Sequence, residues 1–135
     1  MTLPENLHVI EHPVVEHKLT YIRDETTQPK EFRELVKEVS ILLGYESANK
    51  LPLKSVEIKT PLTQTYSGKI SIENIVIVPI LRAGLGMVDG LLSLFPKAQV
   101  GHVGMERDHM THLPSDYYYK IPPTPENRFF FVVDP

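Results

Sequence analysis

The sequence predicts an α/β fold with a largely parallel sheet and flanking helices. Ile75-Val76-Ile77-Val78 and Phe129-Phe130-Phe131-Val132-Val133 are apolar at every position, the pattern of strands covered on both faces. Between them lie a glycine-rich turn, a helix-length stretch from Met87 to Phe95, and a β-rich run from Gln99 to Met105. The chain has 135 residues, 41% of them hydrophobic and 23% charged, which suits one globular domain and excludes a disordered tail. Residues 1–135 are therefore expected to belong to a single domain.

Taken in order, residues 1–26 mix β-branched positions with His8, His12 and His17 and read as an irregular arm with room for one short helix. Phe32, Leu35, Val36, Val39, Leu42 and Leu43 then fall on one face at helical spacing. Pro29 and Glu31 suit the first turn and Pro52 limits the far end, so the helix is expected over 29–49. Val56 to Thr60 and Lys69 to Ile72 alternate with period two, and Ser67-Gly68 reads as a turn between Thr63-Gln64-Thr65-Tyr66 and the second run; a β-hairpin arm with one exposed face is expected there. The polar segment from Glu106 to Asn127 reads as a long connection. Residues 107–120 within it are expected to form a mobile hairpin or lid. The final strand, at 129–133, needs cover, yet only Asp134-Pro135 follow it. The chain is accordingly expected to be the amino-terminal part of a longer domain whose carboxyl-terminal part is absent.

Composition narrows the function. There is no cysteine, so thiolate nucleophiles, disulfides and cysteine-bound zinc are excluded. Lys+Arg total 14 against Asp+Glu 17, a net charge of -3, so bulk attraction of nucleic acid is not expected and any anion site must be local. The longest apolar stretch, Ile75 to Leu81, is far short of the roughly 20 residues that span a bilayer. With no basic or apolar leader at Met1 to Leu7, the chain reads as soluble and cytoplasmic, with no membrane partner.

The chemistry concentrates where strands end. Val78-Pro79-Ile80-Leu81-Arg82-Ala83-Gly84-Leu85-Gly86-Met87 is a strand running through a turn into a helix, with glycines at 84 and 86. Glycines admit a ligand close to the backbone, a helix amino terminus favours anions, and Arg82 adds a forked cationic donor. A structural turn with Arg82 merely exposed is the alternative. The spacing fits neither the P-loop nor the dinucleotide fingerprint, whose third glycine would fall one residue before Gly90. Arg107 and Asp134 stand at two further strand ends, where ligands bind in open α/β sheets. Two arginines for phosphates and one carboxylate for sugar hydroxyls suit a phosphorylated sugar. His8, His12 and His17 lack the spacing and carboxylate partners of a metal site, and His109 and His112 read as solvated loop residues. Tyr117, Tyr118 and Tyr119 read as packing within the hairpin, with stacking on a base as the alternative.

The sequence resembles the uracil phosphoribosyltransferases. The matching residues are Glu11 to Leu19, Glu31-Phe32-Arg33-Glu34-Leu35, Val78 to Asp89, Val100 to Gly104, Arg107-Asp108, Tyr117-Tyr118 and Asp134-Pro135. The resemblance implies a type I phosphoribosyltransferase fold, usually a homodimer or higher homo-oligomer. It implies transfer of ribose 5-phosphate from phosphoribosyl diphosphate to uracil in pyrimidine salvage, giving UMP and pyrophosphate, with Mg²⁺ bound mainly through phosphoribosyl diphosphate and no protein metal site. Arg82, Arg107 and Asp134 match the family's catalytic positions. Ala83, Gly84, Leu85 and Gly86 match the loop under the pyrophosphate, and Pro135 follows the acid that opens the ribose-phosphate motif. His12 and His17 become structural residues of the arm at a subunit contact. A cis peptide is implied at Arg82-Ala83.

The chain also departs from the family. His109-Met110-Thr111-His112 stands where Pro-Glu-Thr-Leu is usual, and Glu106 where tyrosine is common, which bears on loop closure and rate. The Thr-Gly-Gly loop for the 5′-phosphate and the Gly-Asp-Ala segment that reads uracil have no counterpart in these residues. The 135 residues alone are thus expected to be incomplete for catalysis. A catalytically inactive phosphoribosyltransferase-like protein that binds nucleotides or regulates is the competing reading, and a truncated gene product is a third.

Overall fold

A computed structural model describes residues 4–123 and 126–135. Residues 1–3 of the expected arm and 124–125 of the expected long connection lie outside the described residues. The arm is more regular than its composition suggests. Helix α1 runs Pro13–Arg23, with proline at its start and His12 as its cap. His12 Nδ1 accepts the Val14 N–H at 3.1 Å, which satisfies one of the donors a helix start leaves open. Helix α2 covers Pro29–Ser47 and ends in a short 3-10 turn at Ala48–Lys50, close to the expected span. A salt bridge from Lys18 to Glu38, 2.5 Å long, joins the two helices at the surface.

Strands β1 (Lys54–Lys59) and β2 (Gln64–Lys69) form the expected antiparallel hairpin as a separate two-stranded sheet. Its turn is not at Ser67-Gly68. Lys59 pairs with Gln64 and Ser55 with Gly68, so the reversal lies at residues 60–63. The physical reason is local: the Thr60 hydroxyl accepts the Thr63 N–H at 3.0 Å and donates to the Thr63 carbonyl at 2.8 Å, closing the turn around Pro61. Ser67-Gly68 is thereby drawn into strand β2, and residues 72–74 form a 3-10 turn where strand was expected.

The main sheet is built on β3 (Ile75–Leu81). On one side it pairs in parallel with β7 (Phe129–Val133), on the other with β4 (Gln99–Val100) and β5 (His102–Arg107). Strand β6 (Pro114–Lys120) then adds antiparallel to β5. Strand β6 lies in the segment that reads as a connection, because Pro114 to Lys120 is polar and exposed along its whole length. The hairpin spans 102–120, so the stretch 107–120 expected to form it supplies only its tip and second strand, with β5 as the first.

Why β4 and β5 are separate is legible in the ladder. Gly101 N–H donates to the Ile77 carbonyl at 2.9 Å, so Ile77, Pro79 and Leu81 turn their hydrogen-bonding groups to this side. Pro79 has no N–H to give, and pairing lapses between Ile77↔Val100 and Ile80↔Val103.

Helix α3 (Leu85–Leu94) packs on β3, and α2 packs over α3. The core is Ile75, Val76, Ile77 and Val78, each at most 1% exposed, with Met87, Leu91 and Phe95. Phe95 stacks on Phe131 with ring centroids 5.4 Å apart. Strand β7 matches the expectation of a strand in need of further cover. Phe131 turns toward Phe95, while Phe130 is 40% and Val132 63% exposed, so this edge strand is covered on one face only. No helix among the described residues is long and apolar enough to cross a membrane.

The α2–α3 crossing depends on Gly90. A Cβ there would lie 2.5 Å from the Lys37 carbonyl oxygen and 2.8 Å from Ser40 Cβ. Gly90→Ala should therefore destabilise the fold by about 1–3 kcal/mol, despite alanine's better helix propensity. Urea unfolding checks this: a midpoint at or above that of the unsubstituted chain would show that the helices can separate without cost.

Candidate active site

Strand β3 delivers Arg82 to the carboxyl-terminal edge of the sheet. Just past the strand the chain reverses within a few residues: Gly84 N–H closes on the Ile80 carbonyl at 2.9 Å. Gly84 is buried against its neighbours. A Cβ at that position would meet the Val133 carbonyl oxygen of β7, with Ile80 N at 2.7 Å and Ile80 O at 2.9 Å. All three are backbone atoms, so no side chain fits. The cis peptide bond is Leu81–Arg82, one residue earlier than the resemblance implied, since the reversal begins at the last residue of β3.

Arg82, Ala83 and Asp134 meet in one open cavity of about 550 Å³, with Ile80, Leu81, Met105, Glu106 and Tyr117 completing its wall. The cavity lies beyond the carboxyl ends of β3, β5 and β7, where an open parallel sheet places ligands. Its charged groups are one guanidinium and two carboxylates. Sequence reasoning named Arg82, Ala83 and Asp134. It read Tyr117 mainly as packing, and Glu106 as the start of a charged stretch just past a strand end and as a departure from a family pattern. No spacing signal reports that the β6 register carries Tyr117 to this edge.

The other candidates sit elsewhere. Arg107 is exposed at the end of β5, paired with Pro114, and is not part of the cavity wall. Leu85 and Gly86 line a different hollow with Lys30, Arg33, Glu34, Lys37 and Asp89. Pro135 is exposed beside Asp134 and does not line the cavity. The helix start differs from the expectation of free donors. The N–H groups of Leu85, Gly86 and Met87 donate to the carbonyls of Arg82, Ala83 and Gly84 at 3.2, 3.3 and 3.1 Å. An anion here would rest chiefly on the Arg82 guanidinium and the positive end of the α3 dipole.

The tip of the β5–β6 hairpin is organised by Asp108. Its Oδ1 accepts the N–H groups of Thr111 at 2.7 Å and Met110 at 2.9 Å, and the Thr111 hydroxyl at 3.0 Å. These donors, the Thr111 N–H first, hold the carboxyl below its ordinary value. His112 adopts a positive φ of 57° at the same tip. His17 packs edge-on against Tyr21 at 5.1 Å within α1. Among the described residues, no group of three or more histidine, aspartate or glutamate side chains could hold a metal ion.

The family model described as Uracil phosphoribosyltransferase matches residues 9–135. A uracil phosphoribosyltransferase from Bacillus velezensis is 55% identical over 129 residues, 96% of this chain and 62% of the relative. One from Streptococcus salivarius is 54% identical over 127 residues, 94% of this chain and 61% of the relative. The solved structure of the AQ2163 protein from Aquifex aeolicus superposes with a TM-score of 0.86 at 32% identity, covering 93% of this chain and 60% of that one. The chain thus spans about three fifths of the length of the curated relatives it matches.

The Asp108 turn sets a pH dependence. A carboxyl whose folded value lies below its unfolded one stabilises the turn above the unfolded value and ceases to as pH falls through the folded one. The amide shifts of Met110 and Thr111 should therefore titrate together with a midpoint below the ordinary carboxylate value of 3.8. In Asp108→Ala that titration should vanish. A midpoint at or above 3.8 in the parent chain would contradict the bonding described.

Proposed function

The chain belongs to the uracil phosphoribosyltransferase family, and from that premise we propose that the protein performs pyrimidine salvage, transferring ribose 5-phosphate from phosphoribosyl diphosphate to uracil to give UMP and pyrophosphate. The observation that carries this reading is the meeting of Arg82 and Asp134 in one cavity at the carboxyl ends of adjacent parallel strands. In the reaction the bond from the ribose anomeric carbon to the diphosphate breaks and a bond to a uracil ring nitrogen forms. Negative charge grows on the departing diphosphate while the ribose becomes cationic. No protein nucleophile is required. Arg82 binds the diphosphate and stabilises its growing charge, and Asp134 accepts hydrogen bonds from the ribose hydroxyls. Ala83 and the turn closed at Gly84 form the floor beneath the diphosphate. Arg107, exposed at the end of β5 and outside the cavity wall, is assigned in the same reading as a second cation for the phosphates.

Mg²⁺ fits this site as a companion of the substrate. The wall supplies two oxygen-donor side chains, Glu106 and Asp134, of the kind a hard cation prefers, and too few to cage it without phosphate oxygens and water. The metal, when bound, offsets diphosphate charge. A second copy of the chain is the natural protein partner in this reading, and the cytoplasm the natural compartment.

Calorimetric titration of the chain with phosphoribosyl diphosphate and Mg²⁺ tests the assignment. Binding is expected, and Arg82→Ala should weaken it by about 2 kcal/mol, roughly thirtyfold, as expected for lost hydrogen bonds to a charged group. Equal affinity in the variant would remove Arg82 from the site. Assayed for UMP with labelled uracil, the 135 residues alone should show no turnover, because they span 62% of the length of the Bacillus velezensis relative and lost substrate positioning can cost about 7–11 kcal/mol. Turnover matching that of the Bacillus velezensis relative would overturn this expectation.

A further inference from the structure

The ladder between β5 and β6 is irregular at one point. Gly104 pairs with Tyr118 and Met105 with Asp116, so Tyr117 is the extra residue of a β-bulge. A bulge takes its extra residue out of strict alternation and re-aims its side chain. Here the ring lies over Gly104: a Cβ at that glycine would fall 2.6 Å from Tyr117 Cε2 and 2.7 Å from Cζ. Glycine at 104 therefore leaves the space that the Tyr117 ring occupies. The result is specific to this tyrosine. Tyr117 lines the cavity of Arg82, Ala83, Glu106 and Asp134, whereas Tyr118 and Tyr119 do not. Its residue is 54% exposed, and its hydroxyl enters no side-chain hydrogen bond among the described residues.

The charges around the cavity say what such a hydroxyl can do. Glu106 and Asp134 repel an anionic ligand, and Arg82 is the only cation in the wall. A phenol adds a donor without adding charge, so it can serve a phosphate oxygen while remaining compatible with both carboxylates. We propose that Tyr117 is a ligand-binding residue whose hydroxyl donates to a diphosphate oxygen of phosphoribosyl diphosphate, placed there by the bulge opposite Gly104. This rests on the phosphoribosyl-transfer reading and adds to it a residue that sequence spacing did not assign to the phosphates.

The experiment is a calorimetric titration of the 135-residue chain with phosphoribosyl diphosphate, inorganic pyrophosphate and ribose 5-phosphate in turn, each with Mg²⁺. Tyr117→Phe keeps the ring over Gly104 and removes only the hydroxyl. It should leave the thermal midpoint unchanged and weaken phosphoribosyl diphosphate and pyrophosphate about tenfold. Ribose 5-phosphate should be unaffected, and Tyr119→Phe should bind like the parent. Gly104→Ala displaces the ring and should give a similar loss, with the double variant no weaker than Gly104→Ala alone, as expected of two changes acting through one contact. Parent-like affinity for pyrophosphate in Tyr117→Phe overturns the proposal, as does a loss confined to ribose 5-phosphate. Failure of the unsubstituted chain to bind phosphoribosyl diphosphate would instead overturn the phosphoribosyl-transfer reading, and this proposal with it.

Discussion

The close approach of Gly84 to the backbone of β3 and β7 is the constraint on which the site depends. Strand β3 is the most deeply buried element, and the chain must leave it, reverse and enter α3 within a few residues. That reversal passes so near Ile80 and the Val133 carbonyl that only a residue without Cβ fits. Three consequences follow from one contact. Arg82 is held at the strand end, α3 is set back onto the face of β3 it covers, and β7 is tied in register so that Asp134 emerges beside Arg82. The ligand-facing groups are thus placed by backbone packing in the sheet, not by hydrogen bonds among themselves.

Pro79 contributes to the same geometry from the opposite side. A proline in a central strand ordinarily argues against the strand, because it removes a ladder donor. Here the donor is lost where β4 passes into β5, and Gly101 occupies the break, itself packed against Ile121 and Pro122. The ladder resumes at Ile80, so β5 remains parallel to β3 up to the edge of the cavity. The cost of one missing bond is confined to the middle of the sheet, away from the residues that line the cavity.

Much of this was legible in the sequence because it rests on local pattern. The uninterrupted apolar run at 75–78 identified the central strand, the spacing of Phe32 to Leu43 identified α2, and the glycines after Arg82 identified the turn. What was not legible rests on pairing. The hairpin turn fell at 60–63 because the Thr60 side chain organises it, while Ser67-Gly68 carried the more familiar turn composition. Strand β6 carries its three tyrosines consecutively and is exposed along its length, so no alternation marks it, and its pairing with β5 makes it a strand. Arg107 has the right residue type and the right position at a strand end, yet β5 carries it past the wall that Arg82 and Asp134 share.

The electrostatics of the cavity bear on the tension between a net charge of -3 and the polyanionic substrate proposed for it. Attraction at long range is weak for such a surface, so recognition must act at contact distance, through donors placed against individual oxygens. Arg82 provides a fork suited to that task, but it shares the cavity with Glu106 and Asp134, whose charges oppose the ligand's. A divalent cation arriving with the substrate reverses the sign of that opposition, turning both carboxylates into favourable neighbours. In the phosphoribosyl-transfer reading proposed above, the acidic wall therefore favours the metal-bound form of the diphosphate over the free anion.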